Sequence, residues 1–384
     1  MIIALSILPI LYLLFLLWLR NGLSSTDTDI SIEKHPTVSV IVAARNEEDS
    51  IGNLLENLLN QSYPQEQVEI IIVNDNSTDL TGDIIDRYAK KHSQIKHLLI
   101  QDTPPDWSPK KWALSRAIQD SSGDILLFTD ADCTMTSNWI TLMVSSFSDE
   151  TIGIAAGPNL LRKDGGLMDQ MLLHDSIGQD AFTAGTILRG LPLTCTGRNL
   201  AIRHTAFEDA GGYDGTETFI SGDDDLLMHK IISSGWKVSF TIHTDAVIQS
   251  YPPSDFVEFI KQRLRFASKG KSYYTLPFTS NHLKTVLLFL FITNLSVLSG
   301  QISFLINQNI PALIPWIIKM VADWTLMKKY TYLISRQLNV FTLILTGIWH
   351  SLYVVIFGLL GPFVPISWKG RHSSPRISNH LNKQ

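Results

Sequence analysis

Cysteine is nearly missing. The 384 residues hold two, Cys133 and Cys195, which excludes a disulfide-stapled scaffold. Neither has the spacing of a zinc site, and a reducing compartment is the simpler reading. Charge is scarce too: Asp, Glu, Lys and Arg make up 17% of the chain, against roughly 25% in an average soluble protein. With 45% hydrophobic residues beside it, that composition excludes a disordered chain and a coiled coil. Basic excess is absent, since 31 Lys and Arg face 36 Asp and Glu for a net charge of −5. This argues against a nucleic-acid binder. Glycine-rich phosphate loops are also lacking. The first strand-to-helix turn, ARNEEDSIG, has no glycine before Gly52, and no Walker A lysine loop occurs.

What the chain has is apolar segments at both ends. Ile2 to Leu19 carries no charge and is closed by Arg20; as a helix it just crosses about 30 Å of hydrocarbon. A cleaved signal peptide fits poorly, because no basic region precedes the run and no small-residue cleavage site comes after it. Residues 1–20 are therefore expected to be an anchor, with Arg20 placing the segment beyond it in the cytoplasm. Apolar character returns over residues 283–366, in three stretches: Thr285 to Ile306, Ile310 to Met327 and Leu338 to Ile366. Lys319 and Asp323 interrupt the second. Lys328, Lys329 and Arg336, and also the polar tail 367–384 with Lys369, Arg371 and Arg376, all favour the cytoplasmic side. Three plain crossings cannot satisfy both groups, so one segment is expected to be re-entrant or interfacial.

Residues 37–250 read as alternating strands and helices. TVSVIVA (Thr37 to Ala43), VEIIIV (Val68 to Val73), His97 to Ile100 and ILLFT (Ile125 to Thr129) are the strands. Ile51, Leu54, Leu55, Leu58 and Leu59 recur at helical spacing, as do Ile84, Ile85 and Tyr88, and a third helix begins near Trp112. The fold class is α/β, with a parallel sheet covered on both faces. Ligands of such sheets bind beyond the carboxyl ends of the strands, where Asn46, Asp75, Asp130 and Asp132 fall. Lacking a glycine loop, such a site would neutralise phosphates with a divalent cation, Mg²⁺ or Mn²⁺.

Asp130 and Asp132 flank one alanine and, in an extended segment, would point the same way. They suit a hard cation, although two aspartates in a turn also occur as plain solvated loops. Asp223, Asp224 and Asp225 are adjacent, and their mutual repulsion would raise at least one pKa toward a value useful for a general base. An acidic helix N-terminus would also account for them. Residues 251–282 contain FVEFIKQRLRFASKGK, in which Phe256, Phe259, Ile260, Leu264 and Ala267 share a helical face. Lys261, Arg263, Arg265, Lys269 and Lys271 supply basic charge, as in an amphipathic helix lying on an anionic leaflet.

These motifs, in this order, resemble the membrane-bound inverting family 2 glycosyltransferases of the GT-A fold. That group includes cellulose, hyaluronan, chitin and poly-N-acetylglucosamine synthases and simpler lipid glycosyltransferases. The resemblance covers Thr37 to Lys271. It implies that Asn46 and Glu47 in VSVIVAARNEE lie beside the nucleotide, that Asp75 touches a uridine, and that Lys110 of PKKWAL approaches the donor. Pro109 stands where the family has glycine. DAD matches the family's DxD, making Asp132 the more direct metal ligand and placing Asp130 nearer the nucleotide and sugar. Gly197, Asn199, Ala201 and Arg203 of GRNLAIR match a segment near donor sugar and acceptor. Asp224 maps to the catalytic base, with Asp223 in place of a glutamate. In QRLRF, Gln262, Arg263, Arg265 and Phe266 fall in the acceptor and diphosphate motif, and Phe266 replaces a tryptophan of the processive synthases. The loss of that tryptophan favours the addition of one or few sugars.

The expected reaction moves a sugar from a nucleoside-diphospho-sugar, UDP-linked for preference, to a lipid or saccharide acceptor at the cell membrane, with inversion. Two other readings exist. LLFTDADCT also resembles the phosphatase motif of haloacid dehalogenases, with Asp130 as nucleophile, but that motif comes after the first strand of its domain. A transporter or scaffold has only Lys319 and Asp323 in its favour, and these can pair one turn apart.

Overall fold

The computed structural model describes residues 2–26, 35–162, 165–364, 366–368 and 371–373. After helix α1 (Ile2–Arg20) the chain forms β1 (Val38–Ala44), α2 (Ile51–Leu59), β2 (Val68–Asp75), α3 (Thr81–Lys91) and β3 (Ile95–Ile100). Next come α4 (Pro109–Gln119), β4 (Ile125–Phe128), α5 (Trp139–Ser145), β5 (Ile152–Ala156), β6 (Asn159–Leu161) and α6 (Leu167–Leu188). The second half holds β7 (Leu200–Arg203), α7 (His204–Asp209), α8 (Asp225–Ser233), β8 (Lys237–Phe240) and β9 (Ile248–Ser250). Helices α9 (Phe256–Ala267), α10 (Ser272–Thr275), α11 (Asn281–Asn307), α12 (Ile314–Leu333) and α13 (Val340–Leu360) follow, and a short antiparallel pair, β10 (Ile366–Trp368) and β11 (Arg371–Ser373), ends the described order.

The main sheet runs β3-β2-β1-β4-β7-β5-β8. Its β-branched strands are buried on both faces. Val38, Val40 and Val42 meet Ile51, Leu54, Leu55 and Leu58 of α2 on one side, while Ile41 belongs to the layer of Ala113, Leu114 and Ala117 of α4 on the other. This is the alternation a strand imposes. The expected all-parallel sheet is corrected at one strand: β7 is antiparallel to both β4 and β5, while the other pairs in the sheet are parallel. Phe128 pairs with Leu200 and Ile125 with Arg203. The entry to β7, Gly197 to Asn199, therefore lies at the rim where β4 ends.

Among the described residues, four helices are long and apolar enough to cross a membrane: α1, α11, the stretch Ile310–Leu333 that contains α12, and α13. Helix α12, which carries Lys319 and Asp323, runs without a break from Ile314 to Leu333. Two of its charges meet each other: Lys319 Nζ lies 2.6 Å from Asp323 Oδ2, and Tyr12 of α1 donates to Asp323 Oδ1 at 2.7 Å. Helix α6 joins the bundle to the sheet. Its Asp180 accepts from the Asn159 amide at 2.6 Å and from Tyr330 of α12, and one apolar cluster runs from Ile41 and Phe128 through Ile177 and Ala181 to Leu16 and Leu326. The expected basic tail lies largely outside the described residues.

Candidate active site

Two acidic loops meet at the carboxyl rim of the sheet, with Lys110 between them. Pro109 takes the first position of α4, where its missing N–H has no helical partner to lose. Lys110 comes next, with Nζ 3.1 Å from Asp130 Oδ1 and 2.9 Å from Asp223 Oδ2. Burial opposes its charge, but Asp130 and Asp223 override burial and keep the ammonium protonated far above its ordinary range. The second oxygen of Asp130 accepts from Arg198 Nε at 3.2 Å, and Arg198 Nη1 reaches Ser250 Oγ at 3.0 Å. Burial likewise works against Asp130, and these two cations hold its carboxyl well below the usual range.

Asp132 differs. The chain bends at once beyond β4, with the Cys133 amide 3.2 Å from Asp130 O, so the pair sits on a turn rather than in the expected extended segment. Among the described residues Asp132 has no cation at ion-pairing distance, and its Oδ1 lies 3.7 Å from Cys133 Sγ. Burial, then the charge of Asp130, push its carboxyl up. A hard oxygen donor short of positive charge, beside a second carboxylate, is the chemistry a divalent cation takes. Glu47 contributes negative charge to the same point.

The second loop turns on Gly222, whose φ of +87 and 2.6 Å approach to the Leu226 side chain exclude a Cβ. The three carboxylates after it have three environments. Asp223 is 8% exposed and bound to Lys110. Asp225 is 3% exposed, 2.6 Å from Lys269 Nζ, and accepts from the Tyr273 hydroxyl. Asp224 is 20% exposed, with Lys269 at 3.8 Å. Its Oδ2 accepts from the Gly197 amide at 3.0 Å and its Oδ1 from the Asp225 amide at 2.7 Å. The expected upward shift from mutual repulsion does not occur at Asp225. Burial raises its pKa, but Lys269 and Tyr273 outweigh burial and the net shift is downward.

The loops after β1 and β2 are tied to each other. Asn46 adopts φ 51, its Oδ1 accepts from the Thr78 amide at 2.9 Å, and its own amide donates to Ser77 Oγ at 3.1 Å. Glu47 accepts from Ser50 Oγ at 2.8 Å. Asp75 is buried at the end of β2, where Arg45 Nη1 holds its carbonyl at 2.8 Å. On α9, Gln262 is half-buried, and Arg265 lies 5.0 Å from the Phe266 ring. Arg265 feels burial first, then the charges of Asp223, Arg198, Asp130 and Asp224, so its side chain belongs to the same cluster.

Three expected site residues sit elsewhere. Asn199 is fully buried: it accepts from Trp139 Nε1 at 2.9 Å and donates to the carbonyls of Pro158 and Ala246, both at 2.8 Å. All its polar atoms are engaged inside the wall, and none is left for a ligand. Arg263 pairs with Asp175 of α6 and lies over the rings of Phe259 and Tyr353, because it is two residues from Arg265 and so projects from another face of the helix. Arg203 is at the far end of β7, donating to Ile152 O and Phe147 O. Conversely, Arg198 and Lys269 are at the centre, although no motif position points to them. Arg198 lies inside GRNLAIR, between two matched residues. Lys269, expected as a leaflet-facing charge, is instead only 11% exposed beside Asp225.

Residues 39–211 match the family model described as Glycosyl transferase family 2; Asp224 and QRLRF lie beyond that match. The chain is 29% identical over 257 residues to a probable glycosyltransferase, YdaM, of Bacillus subtilis, covering 66% of this chain and 60% of that protein. It is also 29% identical over 249 residues to beta-monoglucosyldiacylglycerol synthase of Nostoc sp., covering 62% of this chain and 50% of the relative. The chain thus spans between half and three fifths of these relatives. Among solved structures, the mannosyltransferase PcManGT from Pyrobaculum calidifontis, in complex with GDP-Man and Mn²⁺, superposes with a TM-score of 0.65 at 19% identity, over 94% of this chain and 98% of that one. A sheet of this order, acidic loops at its carboxyl rim and these likenesses agree on the scaffold: the fold resembles that of GT-A glycosyltransferases, and within it residues 39–211 match the glycosyl transferase family 2 model.

Proposed function

We propose that the protein transfers a sugar from a nucleoside-diphospho-sugar, a UDP-sugar for preference, to a lipid or saccharide acceptor at the cell membrane, inverting the anomeric centre. The observation that carries the reading is that Lys110 bridges Asp130 and Asp223 and so brings DAD and the Asp223–Asp225 loop to one cleft. Asp132, with Asp130, would hold Mg²⁺ or Mn²⁺, drawing its remaining ligands from diphosphate oxygens and water. When bound, the cation supplies positive charge against the leaving diphosphate. Lys110 and Arg265 add charge to the same region. The loops of Asn46, Glu47 and Asp75 flank the donor.

Asp224 takes the acceptor's proton. Of the three adjacent carboxylates it is the most exposed, and two backbone amides aim it, whereas Asp223 and Asp225 are each ion-paired at under 3 Å. One in-line displacement at C1 then needs no covalent sugar–enzyme intermediate. The acceptor of the Nostoc relative, a diacylglycerol lipid by its name, favours a lipid here. Arg20 and the position of Lys328 and Lys329 beside the α12–α6 junction favour a cytoplasmic catalytic domain and a multi-pass chain. Asp130 as a phosphatase nucleophile is disfavoured, because DAD follows the fourth strand, β4, whereas that motif comes after the first strand of its domain.

The test is release of nucleoside diphosphate by detergent-purified protein from UDP-, GDP- and dTDP-sugars, with Mn²⁺, Mg²⁺ or chelator and a membrane lipid extract. Cation-dependent turnover of one donor is expected. Hydrolysis of a generic phosphomonoester without turnover of any donor would overturn the reading.

A further inference from the structure

Between the DAD turn and the membrane helices lies a guanidinium that the reaction above does not use. Arg162 comes directly after β6, which pairs in parallel with β9, and its amide donates to Ser250 O at 2.9 Å. Its Nη2 donates to Thr134 Oγ1 at 3.1 Å, two residues beyond Asp132. Its guanidinium lies 4.2 Å from the centroid of the Tyr251 ring, which is half exposed. Its Nε is buried and has no hydrogen-bond partner among the described residues.

Lys110, Arg198 and Lys269 are each paired with a carboxylate of the site. Arg162 has no carboxylate at ion-pairing distance among the described residues. A guanidinium fixed by stacking, in a half-exposed position and without a counter-charge, is a ready seat for planar or tetrahedral oxyanions. The neighbours say where such an anion would come from. Leu161, adjacent in the chain, packs with Phe259 of α9 and Phe357 of the apolar helix α13. Five and six residues after Tyr251, Phe256 and Val257 expose most of their surface. Ser250, whose carbonyl holds the Arg162 amide, also takes Arg198, which reaches Asp130. The guanidinium therefore stands on the membrane side of the acidic cleft, with apolar surface on one flank and the DAD turn on the other.

The geometry points to Arg162, stacked on Tyr251 and steadied by Thr134, as an acceptor subsite for the phosphate of a membrane lipid. The inference rests on the transferase reading and narrows its acceptor to a phosphate-bearing lipid. Arg162 acts by binding, and takes no part in the displacement.

The experiment uses the full chain in a sugar-free non-ionic detergent, with the donor that turns over. Transfer is compared for dioleoyl-phosphatidylglycerol, a polyprenyl monophosphate and dioleoylglycerol, with soluble glycerol phosphate as the arm that separates a lipid head group from a free phosphate. A phosphate-bearing lipid is expected to be the better acceptor. Arg162→Gln is expected to raise its KM at least tenfold while metal-dependent nucleotide binding stays unchanged. Arg162→Lys should recover part of the loss and Tyr251→Leu should reproduce part of it, a charge-dependent pattern that simple misfolding would not give. Equal KM in Arg162→Gln and the parent chain, a preference for dioleoylglycerol, or equal use of soluble glycerol phosphate would each overturn the subsite. Failure of the parent chain to bind any donor would instead remove the transferase reading beneath it.

Discussion

At the scale of single residues, three adjacent aspartates have three different environments. Asp223 neutralises Lys110, Asp225 neutralises Lys269, and Asp224 is left aimed by the Gly197 and Asp225 amides. A carboxylate that is charged, oriented and reachable can take a proton; one locked in a short ion pair cannot do so without breaking the pair. Asp224→Asn keeps the shape and one of the two amide contacts through its single side-chain oxygen, loses the other because an NH2 cannot accept, and removes the basicity. Donor affinity measured by nucleotide titration should stay within about twofold, while sugar transfer should fall by about 10²- to 10⁴-fold, the usual contribution of a positioned base. A variant that still transfers at the parent rate would remove Asp224 from that role. The same logic separates Arg263 from Arg265. Two residues on a helix differ by more than half a turn, so one faces the carboxylates and the other faces Asp175.

At the scale of elements, α9 is held over the cleft by a junction of three helices. Arg263 of α9 pairs with Asp175 of α6, which also accepts from Tyr353 of α13 and from Gln179 at 2.6 Å. The pair is nearly inaccessible, at 10% and 4% exposure. Removing one partner strands a buried charge, which costs about 3–5 kcal/mol, whereas replacing both with apolar residues is near neutral. Asp175→Asn should therefore lower the thermal unfolding temperature sharply, and Asp175→Leu with Arg263→Met should recover most of the loss. If the single and the double variants lose the same stability, the junction is not coupled through charge.

At the scale of the whole molecule, sheet and bundle share one apolar core through α6, so they are expected to lose structure together on acidification. Glu69 offers a place to watch the acid limb. Burial raises its pKa, but hydrogen bonds from Lys96, Ser39 and the Ser122 amide and hydroxyl outweigh burial and bring it down to about 2 from an ordinary 4.5. A depressed folded-state pKa contributes stability that is fully present above the unfolded value and is lost as pH falls through the folded one. Unfolding temperature should thus decline as pH drops from about 4.5 toward about 2. Glu69→Gln should start lower at neutral pH and decline less over that window. An unchanged acid slope in the variant would show that other carboxylates set it.

The first four strands, the stretches long and apolar enough to span a membrane and the acidic strand ends were legible because each rests on local pattern; β5 to β9, short and without such a pattern, were not. Apolar periodicity, run length and the residue just past a strand are properties of a few neighbours in the chain. The structure alone decided the antiparallel course of β7, which turns Gly197 toward the cleft and carries Arg203 away from it. It also decided that Asn199 is sealed within the wall, that Arg263 belongs to the helix junction, and that Lys269 is an internal counter-charge. Each of these depends on which distant segment a polar side chain meets. A buried polar group takes whatever partner the fold brings within 3 Å, and no spacing in the sequence records that partner.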